Sequence, residues 1–251
     1  MAETINIEAI GKVKAVYRYP VKSMRGEEVK AAPLRWVGLA GDRRYSFVRS
    51  GSSNRFPWLT AKIFPNLLTY IPYFSEPDNP NESAVRVRTP SGADKSIEDP
   101  QLAKELSDLF ENPIFLLQVG RGTFDSAPFS IITTQTVNFI AGQTGLPSEV
   151  RRFRPNLLVE AFDDKPFIED SWIGTSILLG QGYFDPATAP RFRLDRTCER
   201  CVIVNYNPDT LASNPQVLKF LGKTHQVNAG IYGTIEALGT ISKDDVVYRL
   251  K

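Results

Sequence analysis

One histidine, two cysteines and two methionines stand in a chain of 251 residues. So few soft or imidazole ligands cannot furnish a four-cysteine iron–sulfur cluster, a three-histidine zinc site or a histidine-based acid/base apparatus. Any metal must arrive largely pre-liganded. An excess of one charge is also lacking: 30 Lys and Arg oppose 28 Asp and Glu, a formal +2. That balance is too even for a protein whose main task is gripping a nucleic-acid backbone, so no nucleic-acid partner is expected, although local arginine clusters can hold a small anion. No stretch approaches the roughly 18 apolar residues that a membrane-spanning helix needs. The opening Met1-Ala2-Glu3-Thr4-Ile5-Asn6-Ile7-Glu8 carries acids, with no basic start and no long apolar run, unlike a signal peptide. With that opening and only two cysteines, a reducing cytoplasmic setting is expected.

What is present is ordinary globular material, 42% hydrophobic and 23% charged, in a chain long enough to bury a real core. Gly (17) and Pro (18) are slightly abundant, which suggests many turns. Short β-branched or aromatic runs recur: Val13–Tyr17, Arg44–Val48, Leu67–Ile71, Ala84–Arg88, Ile114–Gln118, Leu157–Glu160, Ser176–Leu179 and Val246–Leu250. Their length and composition predict strands. Helical spacing is rarer. Leu102, Leu106, Leu109 and Phe110 form one stripe after Pro100. A second helix is predicted from an N-cap at Thr133 or Thr134 through Val137, Ile140 and Ala141 to a stop at Gly142, and a third from Pro215 through Val217, Leu218 and Leu221 to a stop at Gly222. Strands with few short helices predict a mainly β or α+β fold, a barrel or layered structure, because the alternation of a doubly wound sheet is missing. Phe74–Ser83 reads as an exposed loop and Gly120–Pro128 as the domain boundary, giving parts 1–120 and 121–251.

Four motifs can carry chemistry. Cys198-Glu199-Arg200-Cys201 holds both cysteines. A thioredoxin-like site places such a pair at a helix N-terminus, whereas here the β-type run Val202-Ile203-Val204 follows. A zinc half-site has only His225 to add. The pair can also be two small buried hydrophobes, or, with Arg196 and Arg200 alongside, a thiolate metal ligand in a cationic neighbourhood. In Tyr19-Pro20-Val21-Lys22-Ser23 a turn presents a lysine, a hydroxyl and backbone amides, which can cradle a phosphate or simply be solvated. Gly41-Asp42-Arg43-Arg44-Tyr45 is a turn entering a strand, ordinarily a surface Asp–Arg pair. Arg151-Arg152-Phe153-Arg154-Pro155-Asn156 is either a solvated basic loop or an anion clamp.

Taken in order, these motifs resemble the MOSC family, the molybdenum cofactor sulfurase C-terminal domains, and within it the two-part group that includes the mitochondrial amidoxime-reducing component. Leu59-Thr60-Ala61-Lys62, Glu169-Asp170-Ser171-Trp172, Asn207-Pro208-Asp209-Thr210 and Gly230-Ile231-Tyr232-Gly233 extend the resemblance over nearly the whole chain. It implies an N-terminal β-rich domain followed by a MOSC β-barrel, with a molybdopterin cofactor between them. It places Cys201 as the thiolate ligand of molybdenum and catalytic residue, Cys198 as its non-ligating neighbour, and Lys22, Ser23, Arg43, Arg154 and Asn156 on the cofactor. Arg200 is counted with these as a cation beside the cysteines. Ser126 falls near a threonine-serine contact of the family, with Ala127 in place of the serine.

The implied activity is two-electron reduction of small N-hydroxylated substrates, amidoximes or N-hydroxylamines, by a molybdenum-cofactor (Mo-molybdopterin) enzyme. Electrons would come from a separate cytochrome b5-type protein, or from a ferredoxin with its reductase. The alternative is a molybdopterin- or sulfur-handling carrier without turnover. Lys62 stands where an arginine is frequent, and Val204-Asn205-Tyr206-Asn207 departs from a threonine-rich stretch. His225, off every motif, is expected to be structural, and the chain a monomer without a membrane span.

Overall fold

Strand β1 (Ile7–Arg18) shows why one segment can serve two packing layers. Val13 and Val16 are fully buried in one core, while Ala15 and Tyr17 pack on the other side against Val150 and Leu158. Lys14, between them, faces solvent. The structure is a computed structural model that describes residues 6–52, 56–182 and 184–250. The other staves are β2 (Phe129–Thr133), β3 (Leu157–Ala161), β4 (Ser176–Gly180), β5 (Arg191–Glu199), β6 (Asn228–Ala237) and β7 (Val246–Leu250). They run in the order β3-β2-β6-β5-β4-β7-β1, and β1 pairs back onto β3 with Val13 opposite Val159 and Val16 opposite Leu157. Seven strands among the described residues therefore close into a barrel, antiparallel except for the β2–β3 pair. Closure leaves the staves no free edge. Phe129 and Phe192 stack inside, with ring centroids 4.0 Å apart, among Ile131, Leu157, Ile177, Leu194, Ile231 and Val247.

A second core lies between β1 and β2 in sequence. Tyr45–Arg49 pairs with Ile114–Gln118, and Ile71–Phe74, Val85–Arg88 and Asp94–Ser96 form a small meander. Helix α1 (Pro100–Phe110) starts where the Asp99 carboxylate accepts from the Gln101 N–H, with Pro100 in the first turn. Its Leu102 and Leu106 are fully buried against Val21, Met24, Phe47 and Leu59. A third cluster holds α2 (Thr134–Thr144) and α3 (Gln216–Thr224) against the outside of the barrel through Val137, Ile140, Val217 and Leu221.

The mainly β, α+β architecture is as expected, and several local readings change. Leu67–Ile71 is a strand only from Ile71; Pro65–Thr69 is a 3-10 turn, with Pro65 in its first turn and the Tyr70 N–H closing on Leu67 O. Gly142 and Gly222 lie inside their helices. The first helix runs on to Gly145, whose φ of 68° supplies the left-handed C-cap that Gly142 was expected to give. The second runs to Thr224, and Leu221 O accepts from both His225 N–H and Val227 N–H. No helix among the described residues is long and apolar enough to cross a membrane.

Candidate functional site

Three turns of the second core and four segments of the barrel half, within 124–130, 152–156, 196–204 and 228–232, converge on a cavity of about 710 Å³. Cys201, Lys22, Ser23, Arg43, Ser126, Arg154, Asn156 and Arg200 all line it, although they are scattered over nearly 180 positions of the chain. Seven cationic side chains border the cavity against two carboxylates, Asp125 and Glu199. The near-neutral total therefore conceals a concentrated positive field. A larger, open groove of about 880 Å³ lies beside α1. Its polar groups satisfy one another, with the Tyr70 hydroxyl and Lys95 both donating to Glu105, and it holds no cysteine and none of the expected residues.

Three of the lining residues have unusual backbone conformations. Ser23, Arg43 and Arg154 all adopt left-handed φ values, 66°, 49° and 50°, a region costly for side chains other than glycine. Arg43 N–H donates across to Tyr19 O at 2.6 Å, and Arg154 N–H to Arg151 O within its own turn. The guanidinium carbons of Arg43 and Arg154 lie 4.5 and 4.4 Å from the centroid of the Tyr19 ring. One buried aromatic thus serves as platform for two cations. The Tyr19 hydroxyl donates to Pro155 O, and burial pushes it well above the ordinary phenol value.

Asp42 joins the two cores. Its buried carboxylate accepts from Tyr19 N–H at 2.7 Å, from the Asn156 amide at 3.1 Å and from the Arg43 guanidinium. The expected surface Asp–Arg pair is therefore a buried one, because the turn packs beneath the cavity floor. Burial alone would lower Arg43, and Asp42 outweighs it. Asn156 also donates to Tyr17 O and accepts from Ser130 N–H. Its amide is committed to protein partners, so it acts at this site by fixing the floor.

Arg154 differs. Its Nη1 donates to Met24 O at 2.7 Å, while Nη2 is buried without a partner. Burial, with Arg43 adding to it, lowers its pKa to about 10. A buried guanidinium nitrogen with an unused donor in a cation-rich cavity fits an anionic ligand. Arg152 Nε is likewise buried and unpartnered, while its Nη1 reaches Val204 O and Asn205 O. Lys22 is 4% exposed and donates to Thr123 O at 2.6 Å and Asp125 Oδ1 at 2.7 Å. Burial lowers its pKa against the pull of Asp125. The basic segment 151–154 is thus no solvated loop: Arg151 pairs with Glu149 and Asp209, and the other two arginines turn inward.

The two cysteines separate. Cys198 is fully buried on β5, and burial raises its thiol to about 11. Cys201 is exposed and reduced at the cavity wall. The run after it is not a strand. Cys201 is the N-cap of a 3-10 turn, Val202–Asn205, because Val204 is drawn into the α2–α3 cluster and the Asn205 side chain accepts from Leu218 N–H at the start of α3. Arg200 spends its donors on Ala229 O and Phe153 O. Arg196 reaches the Ser126 hydroxyl at 2.7 Å. His225 lies apart, hydrogen-bonded to Asp170 at 2.7 Å and stacked on Phe167.

Tyr19, Asp42 and Tyr232 stand in the quoted motifs with no expected role of their own, whereas Arg196 is expected as a cation beside the cysteines and Lys62 as the replacement of a family arginine; Lys62, Arg196 and Tyr232 are on the cavity wall and the other two support it. The signal was present for Tyr19 and Asp42, as neighbours of assigned residues. Arg152 stands in the basic segment already named as a candidate anion clamp; Asp125 gives no signal, since its partner Lys22 lies 103 positions away.

The MOSC domain family matches residues 119–248, and the MOSC N-terminal beta barrel domain matches residues 10–111. No curated protein matches the sequence. The crystal structure of the YUAD protein from Bacillus subtilis is similar in fold, with a TM-score of 0.52 and 13% identity over 99% of this chain and 100% of that one. That of YiiM from Geobacillus stearothermophilus is 12% identical over 50% of this chain and 55% of that one, with a TM-score of 0.37.

Proposed function

Because the chain belongs to the MOSC family in its two-part form, we propose that it is a molybdenum-cofactor-dependent reductase of small N-hydroxylated compounds such as amidoximes and N-hydroxylamines. The observation that carries this reading is one cavity that joins an exposed thiol, Cys201, to a buried, unpartnered guanidinium nitrogen of Arg154. The donor set fits an anionic, sulfur-bearing pterin: a soft ligand at Cys201, and hard cationic donors at Arg154, Arg43 and Lys22. Ser23 and Ser126 would add hydroxyls at its wall, while Asn156 and Arg200, whose donors go to protein groups, hold that wall in place. When bound, such a group supplies two-electron oxygen-atom chemistry, through which N–OH, two electrons and two protons become N–H and water.

The chain's own part is electrostatic and positional. Arg154 and Lys22 counter an anion, Asp42 and Asn156 fix Arg43, and Phe124 and Phe153 wall the cavity against water. Residues 1–120 and 121–251 are taken as the functional parts, with β1 the stave that the first contributes to the barrel of the second. Electrons would come from a separate donor, a cytochrome b5-type protein or a ferredoxin with its reductase, to a cytoplasmic monomer.

Protein from a host that makes the cofactor is expected to carry near-stoichiometric molybdenum and to release a fluorescent pterin on denaturation. Cys201→Ala is expected to lose amidoxime reduction by about a hundredfold or more. Full activity in that variant would sink the assignment. Bound pterin and molybdenum without turnover, given a reduced donor, would instead make the protein a cofactor carrier.

A further inference from the structure

The segment Gly122–Pro128 has no regular structure, yet it is tied at three points to the cavity it borders. At one end Arg43 O accepts from both the Thr123 N–H and the Thr123 hydroxyl. In the middle Lys22 Nζ holds Thr123 O and Asp125 Oδ1. At the other end Arg196 donates to Ser126 O and Oγ. Gly122, with a φ of 78°, allows the chain to turn there; a Cβ on it would come within 2.3 Å of the Phe124 ring. Two of the three anchors are thus cationic side chains of the cavity itself, and the third is the main chain of Arg43. The one carboxylate among the strap's contacts, Asp125, is 73% exposed, so it can leave without opening a core. Lys22, by contrast, is buried, and a buried ammonium is costly unless it is paired, as it is here with Asp125.

We propose that Gly122–Pro128 is a strap latched by Asp125, which serves Lys22 as a resident counter-ion until an anionic ligand enters the cavity and displaces it. The proposal rests on reading the cavity as an anion site and adds how that site is regulated. Entry of a phosphate-bearing ligand exchanges the Lys22–Asp125 contact for a Lys22–phosphate contact and frees Phe124–Ala127 to reseat over the ligand. The closed strap lowers the apparent affinity by the cost of unlatching.

The test uses cofactor-free protein from a host unable to make molybdopterin, with inorganic phosphate as probe. Calorimetry gives its affinity and hydrogen exchange follows the Thr123 amide. Asp125→Asn keeps the shape and removes the charge; it is expected to bind phosphate about threefold to fivefold more tightly, the scale of one largely exposed ion pair. Asp163→Asn makes the same charge change on an exposed loop, where Asp163 pairs with Lys165, and is expected to leave the affinity unchanged. In the wild type, phosphate is expected to speed exchange at Thr123, the reverse of the protection a ligand usually confers. In Asp125→Asn exchange is expected to be fast already. Equal or weaker binding by Asp125→Asn, equal tightening by Asp163→Asn, or slowed exchange at Thr123 would each overturn the latch. If phosphate then still binds the wild type, the anion-site reading survives that result; if phosphate binds neither protein, both fall.

Discussion

Tyr19 is the residue on which the cationic side of the cavity is built, since its ring lies against two guanidiniums and its hydroxyl is bonded across the two cores to Pro155 O. These contacts separate under substitution. Tyr19→Phe removes one buried hydrogen bond and is expected to cost about 1 kcal/mol in urea unfolding while leaving phosphate affinity nearly unchanged. Tyr19→Leu also removes the platform, and is expected to cost about 2–4 kcal/mol and to weaken phosphate binding measurably. The left-handed Ser23, Arg43 and Arg154 belong to the same picture. A strained backbone persists only where its surroundings over-determine it, and here the surroundings are the turns that aim these residues at one another.

At the scale of elements, the start of α2 carries a buried acid. Thr133 caps the helix and, with Thr136, donates its hydroxyl to Glu169, which is fully buried beside β2. Burial raises the Glu169 carboxyl above its ordinary 4.5, with the two threonines opposing. Between that value and the raised native one, the unfolded chain has released its proton while the native state keeps it. Stability contributed by Glu169 therefore falls as pH rises through that window and is level above it. Glu169→Gln is expected to remove this component, seen as a urea midpoint that falls less than wild type's as pH rises above the ordinary carboxylate range.

The helices also show what local pattern can reveal. Their apolar stripes and N-terminal signals were legible, because spacing and caps are properties of a few neighbouring residues. Their ends were not. Gly142 and Gly222 look like stops, but a helix ends where its last carbonyls find partners, and those partners lie beyond these glycines. The run after Cys201 failed for a related reason. Val202-Ile203-Val204 has strand composition, yet the barrel is already closed where β5 ends, and Val204 packs with α2 and α3 instead.

For the whole molecule, closure is concentrated at Gly11, where β1 meets both neighbours, opposite Ala161 on β3 and Val247 on β7. A Cβ there would approach Glu160 O to 2.7 Å and Val159 Cγ1 to 2.9 Å. Gly11→Ala is expected to destabilise the protein by about 1–3 kcal/mol, read as a lower denaturation midpoint, because the seam must widen to accept the methyl group.

The strand-dominated class, the motif order and the kind of ligand chemistry available, one soft thiol with cations for an anion, are legible in the order of residues alone. These follow from residue type and spacing, which local physical chemistry reads directly. Which cysteine is exposed, that Asp42 is buried beneath a partly buried Arg43, that Asn156 is spent on the floor and that Arg154 keeps a free donor are settled only by the folded chain. Those outcomes depend on partners more than 100 positions apart, Lys22 with Asp125, Asp42 with Asn156 and Met24 with Arg154. Only the register that closes β1 onto β3 brings such partners within bonding distance, and no local pattern encodes that register.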